Sequence, residues 1–177
     1  MKTPCLVVID VQEKLFPVIH NGKELLENLD ILIKGFKLFD LPIIVTEQVP
    51  EKLGITIEPI RSLLSDIDPI SKSFFSCAKD AEFMESANAI ERSDGFVLAG
   101  IETHVCVYQT ACDMIQNDEH VEVVSDAVAS RDQRNHHTAL ERIKDNGGFL
   151  TTVEMILFHI QKDARGDKFR KLVSLVK

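Results

Sequence analysis

Short runs of consecutive apolar residues alternate along this chain with longer segments that carry apolar residues at helical spacing. The first run, PCLVVID at 4–10, is apolar at both odd and even positions, which is typical of a strand buried on both faces. The segment 21–40 repeats apolar residues at steps of four and three, which predicts an amphipathic helix. Those residues are Leu25, Leu29, Leu32, Phe36 and Phe39.

The same alternation continues along the rest of the chain. We expect further strands at 42–48, 95–100, 120–126 and 148–152. We expect helices near 56–65, over 80–92, after residue 102 and from 130 to 147, with an irregular segment at 69–76. Strands and helices in this order build a mainly parallel sheet with helices on both faces, so the sequence predicts a three-layer α/β fold.

Polar side chains suggest where three of these helices begin. Thr103 is a suitable N-cap, Ser130 with Gln133 resembles a capping box, and Thr151 with Glu154 suits the last helix start. The helix after residue 102 has one apolar face at helical spacing. That face carries Val105, Tyr108, Cys112 and Ile115.

Bulk properties favour one domain, residues 1–177, because this length buries a core without metals or disulfides. The net charge of −8 and the absence of a basic run disfavour nucleic acid as a partner. No apolar stretch approaches the roughly 18 residues needed to span a membrane, and the first residues lack a signal-peptide layout. Four scattered cysteines suit a reducing compartment. We therefore expect a cytoplasmic protein without membrane contact.

Several polar residues come directly after predicted strands. Asp10 ends the first strand, Gln48 the second, and the stretch 102–106 follows the third. In parallel sheets, ligands bind beyond the carboxyl ends of the strands, so these residues should converge on one crevice. Lys72 lies in the irregular segment, and the sequence alone does not show whether it reaches this edge of the sheet.

Three of these residues could do chemistry together. A helix N-terminus lowers the pKa of a thiol, so Cys106 in the first turn could act as a nucleophile. Asp10 could accept its proton, and Lys72 could hold the charged forms in place. The residues alone leave the alternatives open. Cys106 could be core packing, Asp10 a loop cap and Lys72 a surface charge.

Three motifs bear on this choice, namely LVVIDVQEKLF, SKSFFS and LAGIETHVCVYQTACD. In that order and at those separations they resemble the isochorismatase-like (cysteine hydrolase) family, which includes nicotinamidases, N-carbamoylsarcosine amidases and isochorismatases. The stretches TEQVPEKLG, VSDAVASR and GGFLTTVE are similar to the small isochorismatase domain-containing branch. The resemblance implies a Rossmann-like six-stranded sheet and a homo-oligomer that acts on a small molecule without a cofactor.

The resemblance also implies roles for individual residues. Asp10, Lys72 and Cys106 match the family's catalytic triad, as general base and acid, orienting cation and nucleophile. A non-proline cis peptide maps to Ile101–Glu102, and the N–H groups of Glu102 and Cys106 would form the oxyanion hole. The expected substrate-binding residues are Phe16, Gln48, Phe75 and His104, of which His104 could equally be exposed at the helix start.

The chain departs from the nicotinamidase pattern, because no histidine lies between His20 and His104 to form that branch's metal site. We therefore expect no metal, and we interpret the adjacent His136 and His137 as surface residues. The segment 168–177 could cover a neighbouring copy or its own sheet. Together these observations favour a hydrolase of a small amide, carbamoyl or related substrate.

Two other functions stay open, an isochorismatase proper and a non-enzymatic interaction protein with a vestigial site. A dinucleotide-binding oxidoreductase is disfavoured, because DVQEKLF and not a glycine-rich turn follows the first strand.

Overall fold

A six-stranded, wholly parallel sheet forms the middle layer of the protein. The structure is a computed structural model, and it describes residues 1, 3–90 and 93–177. The strands are β1 Cys5–Ile9, β2 Ile43–Gln48, β3 Ile70–Lys72, β4 Phe96–Ile101, β5 Val121–Ala129 and β6 Phe149–Thr151. Their order across the sheet is β3-β2-β1-β4-β5-β6. The predicted mainly parallel sheet of six strands is confirmed.

Helices cover both faces of this sheet. The α-helices are α1 Gly22–Leu38, α2 Pro50–Leu53, α3 Glu58–Leu63, α4 Ala81–Asn88, α5 Tyr108–Gln116, α6 Gln133–Asp145, α7 Val153–Gln161 and α8 Gly166–Val176. Short 3-10 helices occupy Phe16–Val18 and Cys77–Lys79, and a π-helical turn occupies Thr103–Val107. In the described part of the chain, no helix is long and apolar enough to cross a membrane.

Two apolar layers hold the helices to the sheet. One core lies between the sheet and the helices α1, α7 and α8, and it contains the predicted α1 face except Phe39, which is partly buried. The other lies between the sheet and the helices α4, α5 and α6. Helix α8 packs on α1 and α7 with Leu172 fully buried, so the C-terminal helix covers its own chain.

Strand order places a crevice between β1 and β4. Chain progression reverses there, because the sheet grows in one direction through β2 and β3 and in the other through β5 and β6. Loops after the two central strands diverge at such a point and leave room for a ligand. Asp10 follows β1 and Glu102 follows β4, so both predicted site segments begin at this crevice.

One predicted segment type and one predicted helix bound were wrong. The segment 69–76 is not wholly irregular, because Ile70–Lys72 pairs in parallel with β2 and forms the edge strand β3. Three residues are too few to show a strand periodicity, and the pairing partner is distant in sequence. Helix α4 ends at Asn88, short of the predicted 92, and positions 91 and 92 lie outside the described residues.

The three predicted helix caps were also wrong, each by one or two residues. The π-helical turn begins after Glu102, so Thr103 is inside it and does not cap it. Asp132, not Ser130, caps α6 by accepting from the Arg134 N–H. Thr152, not Thr151, caps α7 by accepting from the Met155 N–H. At α6 and α7 a second residue able to cap lies one or two positions from the predicted one, and the sequence does not choose between them.

The apolar face predicted for the helix after residue 102 is only half-buried. Helix α5 and the turn before it place Val107, Ala111 and Met114 in the core instead. The residues Val105, Tyr108, Cys112 and Ile115 flank this core face and are partly exposed. The buried stripe is therefore offset by one residue from the predicted one.

Candidate active site

Asp10 follows β1 directly and lies completely buried at the crevice. The Thr46 hydroxyl donates a hydrogen bond of 2.8 Å to Asp10 Oδ1, and Lys72 Nζ donates one of 2.6 Å to Oδ2. Its backbone has a φ of 52°, a left-handed conformation that Asp tolerates better than most residues. Both carboxylate oxygens therefore have fixed partners, and the side chain is held at one place.

Lys72 ends β3, and its side chain has no exposed surface. Besides Asp10, its Nζ donates to Gln48 Oε1 at 2.8 Å and to the carbonyl oxygens of Phe74 and Phe75 at 3.2 and 3.3 Å. Burial opposes the charge on Lys72, but the carboxylate of Asp10 is the strongest opposing influence, and the pKa of Lys72 is raised above the ordinary value. Lys72 is therefore a buried ammonium surrounded by acceptors.

Two glutamines support the ammonium, Gln48 by direct contact from the end of β2 and Gln12 through Gln48 from the loop after β1. Gln48 contacts Lys72 through Oε1 and donates from Nε2 to the Ser73 carbonyl at 2.9 Å. Gln12 accepts from the Gln48 N–H at 2.8 Å and donates from Nε2 to the Gln48 and Gly54 carbonyls at 3.1 and 2.6 Å. Gln12 thereby joins the loop after β1 to the end of β2 and supports the residue that contacts Lys72.

Cys106 lies in the π-helical turn and is 5% exposed. Burial raises the pKa of its thiol, Asp10 raises it further through its charge and a hydrogen bond, and Lys72 opposes both. The expectation of a lowered Cys106 pKa is therefore wrong. Lys72 is already paired with Asp10, so it compensates little of the cost of a buried thiolate. At rest the proton stays on sulfur, beside a carboxylate that can accept it.

A second cysteine lies in the same network. Cys77 is fully buried, its Sγ is 3.9 Å from Thr46 Oγ1, and its N–H donates to Thr110 Oγ1 at 2.9 Å. Burial raises the pKa of the Cys77 thiol to about 11, with Lys72 opposing the shift. Cys77 therefore stays a neutral thiol that packs beside the hydroxyl holding Asp10.

The expected oxyanion residue Glu102 begins the turn that carries Cys106. The peptide bond between Ile101 and Glu102 is cis, at the position that the resemblance implied. The Glu102 carbonyl accepts from the N–H groups of Val105 and Val107 at 3.0 and 3.3 Å. Its side chain points away to Arg131, whose N–H donates to Glu102 Oε2 at 2.9 Å.

The expected substrate-binding residues do not all lie at the same place in the structure. Gln48 contacts Lys72 directly, whereas Phe75 contributes its carbonyl to Lys72 and leaves its side chain 53% exposed. Phe16 is partly buried against the core on the α1 side of the sheet. His104 is partly buried and its Nδ1 lies 3.0 Å from Ser130 Oγ. Only Gln48 is therefore part of the Asp10–Lys72 network through its side chain.

Sequence reasoning missed three members of this network and misplaced a fourth residue. Thr46, Cys77 and Gln12 had no assigned role, although Gln12 lies within the motif LVVIDVQEKLF. His136 was interpreted as a surface residue, but it is half-buried, and its Nδ1 lies 2.9 Å from Thr103 Oγ1. The neighbouring His137 is exposed as expected. Thr46 and Cys77 carry no sequence signal, because ordinary core threonines and cysteines look the same.

A polar cavity of about 130 Å³ lies on the far side of residues 102–104 from β2 and β3. It is lined by His20, Asn21, Glu24, Leu25, Ser125, Asp126, Val128, Ala129, Ser130, Gln133, His136 and His137. Within the described residues, no three histidine, cysteine or acidic side chains are grouped to hold a metal ion.

Comparisons with known proteins agree with this geometry. The family model for the isochorismatase domain matches residues 4–155. Mouse isochorismatase domain-containing protein 2A is 32% identical, over 97% of this chain and 82% of that protein. The structure of the MAR1 ribonuclease from Caenorhabditis elegans is 30% identical with a TM-score of 0.90, over 99% of this chain and 90% of that one.

A more distant structure has the same fold. The YcaC gene product from Escherichia coli, an octameric hydrolase of unknown specificity, superposes with a TM-score of 0.91 at 22% identity. The alignment covers 98% of this chain and 88% of that one.

Proposed function

The chain belongs to the isochorismatase family, and from this premise we propose that it is a cysteine hydrolase of a small amide, carbamoyl or related substrate. The proposed nucleophile is Cys106, the proposed general base and acid is Asp10, and Lys72 is the proposed orienting cation. The buried Asp10–Lys72 pair carries this proposal. Burying two charges is costly for stability, and such pairs with perturbed pKa values concentrate at functional sites.

The proposed first half-reaction begins with a proton transfer. Asp10 takes the proton from the Cys106 thiol as sulfur attacks the substrate carbonyl carbon and the C–S bond forms. The N–H groups of Glu102 and Cys106 stabilise the resulting oxyanion. The C–N bond then breaks, and Asp10 returns its proton to the leaving ammonia or amine. The raised Cys106 pKa suits this scheme, because the thiol gives up its proton only as attack proceeds.

The second half-reaction releases the acid. Asp10 takes a proton from water, the hydroxide attacks the thioester carbon, and the C–S bond breaks as sulfur leaves. The thiolate then recovers the proton from Asp10. Throughout, Lys72 keeps its ammonium against the carboxylate and lowers the cost of the charge that develops on sulfur. One base therefore serves both halves without a metal or cofactor.

Mass spectrometry of the protein with a panel of amides and carbamoyl compounds tests this function. We expect a covalent adduct on Cys106 and turnover that Cys106→Ala abolishes. Cys112→Ala is the matched control, because Cys112 is partly exposed at the outer side of α5. Absence of both adduct and turnover across the panel, with an intact fold, would favour the interaction protein with a vestigial site.

Two further substrates belong in the panel. Isochorismate tests the isochorismatase alternative directly. RNA tests the activity named for the MAR1 ribonuclease, although a net charge of −8 and a buried, already paired ammonium disfavour a phosphate backbone. We expect no cleavage of RNA. A homo-oligomer and a cytoplasmic location remain part of the proposal, and sedimentation with cell fractionation tests them.

A further inference from the structure

Three consecutive residues ahead of Cys106 are each bound through their side chains to one segment, residues 130–136, which we call the clamp segment. Glu102 Oε2 accepts from the Arg131 N–H at 2.9 Å and lies 3.6 Å from Arg131 Nε. The His104 ring contacts the Ser130 hydroxyl at 3.0 Å. Contacts between residues so distant in sequence fix the turn against β5 and α6, not merely against itself.

The third of these contacts joins Thr103 and His136. Thr103 has no exposed surface, and its Oγ1 lies 2.9 Å from His136 Nδ1. Water does not reach this hydroxyl while the imidazole is in place, so the contact with His136 fixes the hydroxyl against the clamp segment. Without the imidazole, water from the neighbouring cavity takes its place, and mobile water does not hold the hydroxyl at one position, so the turn is free to shift.

A shift of these residues would move the nucleophile. The Glu102 carbonyl accepts from the N–H groups of Val105 and Val107, the two residues on either side of Cys106. The backbone on both sides of the thiol is therefore tied to the residue that the clamp segment holds. Asp10 is held independently by Thr46 and Lys72, so it would not follow the turn.

We propose that His136 is a positioning residue that, through Thr103 Oγ1, holds the Cys106 turn against the Asp10–Lys72 pair. This inference rests on the proposed function, since it concerns the distance between the proposed nucleophile and its proposed base. Proton transfer and attack depend steeply on such distances, and a displacement of about 1 Å can cost about a hundredfold in rate. His136 itself touches no reacting atom.

The polar cavity allows an experiment that distinguishes a positioning role of His136 from a general contribution to the stability of α6. His136 lines the cavity of about 130 Å³, so His136→Ala leaves a gap continuous with a space that is already open to small molecules. Added imidazole can enter that gap and restore a partner to Thr103 Oγ1. A purely structural defect, spread over α6, would not respond to imidazole.

The test compares His136→Ala with His137→Ala, because both histidines line the same cavity but only His136 contacts Thr103. With a substrate found in the amide panel, we expect His136→Ala to lower kcat about tenfold or more with little change in KM. Imidazole should restore much of that loss in His136→Ala. His137→Ala should keep wild-type kcat with or without imidazole.

A second variant removes the same hydrogen bond from its other end. Thr103→Val keeps the shape of the buried side chain and lacks the hydroxyl, so it should lower kcat like His136→Ala and show no response to imidazole. Wild-type kcat in folded Thr103→Val or His136→Ala would overturn the proposal. If His136→Ala does not fold, the Thr103→Val result decides.

The pH dependence of Cys106 alkylation gives a readout that needs no substrate. In the wild type, burial and Asp10 keep the thiol protonated, so the rate should still rise at about pH 10. A turn displaced from Asp10 loses the part of the shift that Asp10 contributes, so its profile should lie at lower pH than that of the wild type. Identical profiles in wild type and Thr103→Val overturn the positioning role even if no substrate is found. Failure of the proposed function shows differently, as Cys106→Ala having wild-type turnover.

Discussion

Lys72 Nζ lies 2.6 Å from Asp10 Oδ2, and neither side chain has any exposed surface. The two residues are 62 positions apart and come from the ends of two strands, with β2 between them in the sheet. The fold tolerates two buried charges only because each charge compensates the other. Removal of one partner therefore tests stability and function together.

Lys72→Met should lower the free energy of unfolding by about 3–5 kcal/mol, because it leaves a buried carboxylate without its cation. The measurement is urea unfolding followed by circular dichroism. Lys79→Met is the matched control, since Lys79 pairs with Asp113 at 3.6 Å while 60% exposed and should cost under about 1 kcal/mol. The double variant Asp10→Asn with Lys72→Met should recover part of the stability without activity. Equal losses for Lys72→Met and Lys79→Met would contradict this account.

Cys106→Ser should abolish turnover and leave the unfolding transition close to that of the wild type. The reason is that an alcohol replaces the nucleophilic thiol in nearly the same volume. Thermal unfolding and a turnover assay on the same sample check this. Wild-type turnover by Cys106→Ser would remove the nucleophile assignment.

The pH dependence of wild-type Cys106 alkylation should lie to the alkaline side of an ordinary thiol. Burial and Asp10 raise the Cys106 pKa, so little thiolate exists at neutral pH. Iodoacetamide labelling read by peptide mass spectrometry gives the profile, with a short cysteine peptide as reference. Asp10→Asn should shift the profile to lower pH by removing the neighbouring negative charge. A wild-type profile on the acidic side of the peptide would contradict the structure.

Most of the sheet was predictable because each long strand has an apolar pattern in its own residues that identifies it without knowledge of its partners. The runs at 4–10 and 42–48 are apolar on both faces, and that pattern has few interpretations other than a buried parallel strand. Asp10, Gln48 and Glu102 follow such strands, so their convergence at one edge also followed from the sequence. The residues alone left the roles of Asp10, Lys72 and Cys106 open, and the resemblance decided between the alternatives and implied the cis peptide at Ile101–Glu102.

What the sequence did not predict depends on contacts between distant residues. Lys72 was unplaced because β3 exists only through pairing with β2. Thr103 was expected to cap a helix, but its hydroxyl lies against His136, 33 positions later. The direction of the Cys106 pKa shift was wrong for the same reason. A local rule about helix termini was outweighed by burial and by Asp10, which only the folded chain brings near.

Gln12→Leu should reduce both stability and kcat. Gln12 makes three hydrogen bonds, two of them to the Gln48 backbone, so its loss leaves buried groups unpaired at a cost of about 1–3 kcal/mol. Gln48 also contacts Lys72, so the ammonium loses a support when the end of β2 shifts. Urea unfolding and kcat measure the two effects. Unchanged values for both would show that the network of glutamines does not hold Lys72.

Gly100→Ala should disturb the crevice, because Gly100 of β4 pairs with Ile9 of β1 directly before Asp10. It has a φ of 112°, and an added Cβ would lie 2.1 Å from the Ile9 carbonyl oxygen. Backbone strain and overpacking each cost about 1–3 kcal/mol, or about 2–6 kcal/mol together, so we expect a melting temperature lower by about 4–24 °C and reduced turnover.

Gly166→Ala distinguishes backbone strain from overpacking in the lower melting temperature expected for Gly100→Ala. Gly166 has a φ of 91°, but an added Cβ would meet nothing within 4 Å, so the variant measures the backbone strain alone. Its melting temperature should fall by about half as much as that of Gly100→Ala, with turnover unchanged. Because Ile9 precedes Asp10 and Gly100 precedes Ile101–Glu102, a clash at this point pushes apart the two strand ends that carry the proposed base and nucleophile. Equal effects of the two variants on turnover would mean that the β1–β4 contact does not set this distance.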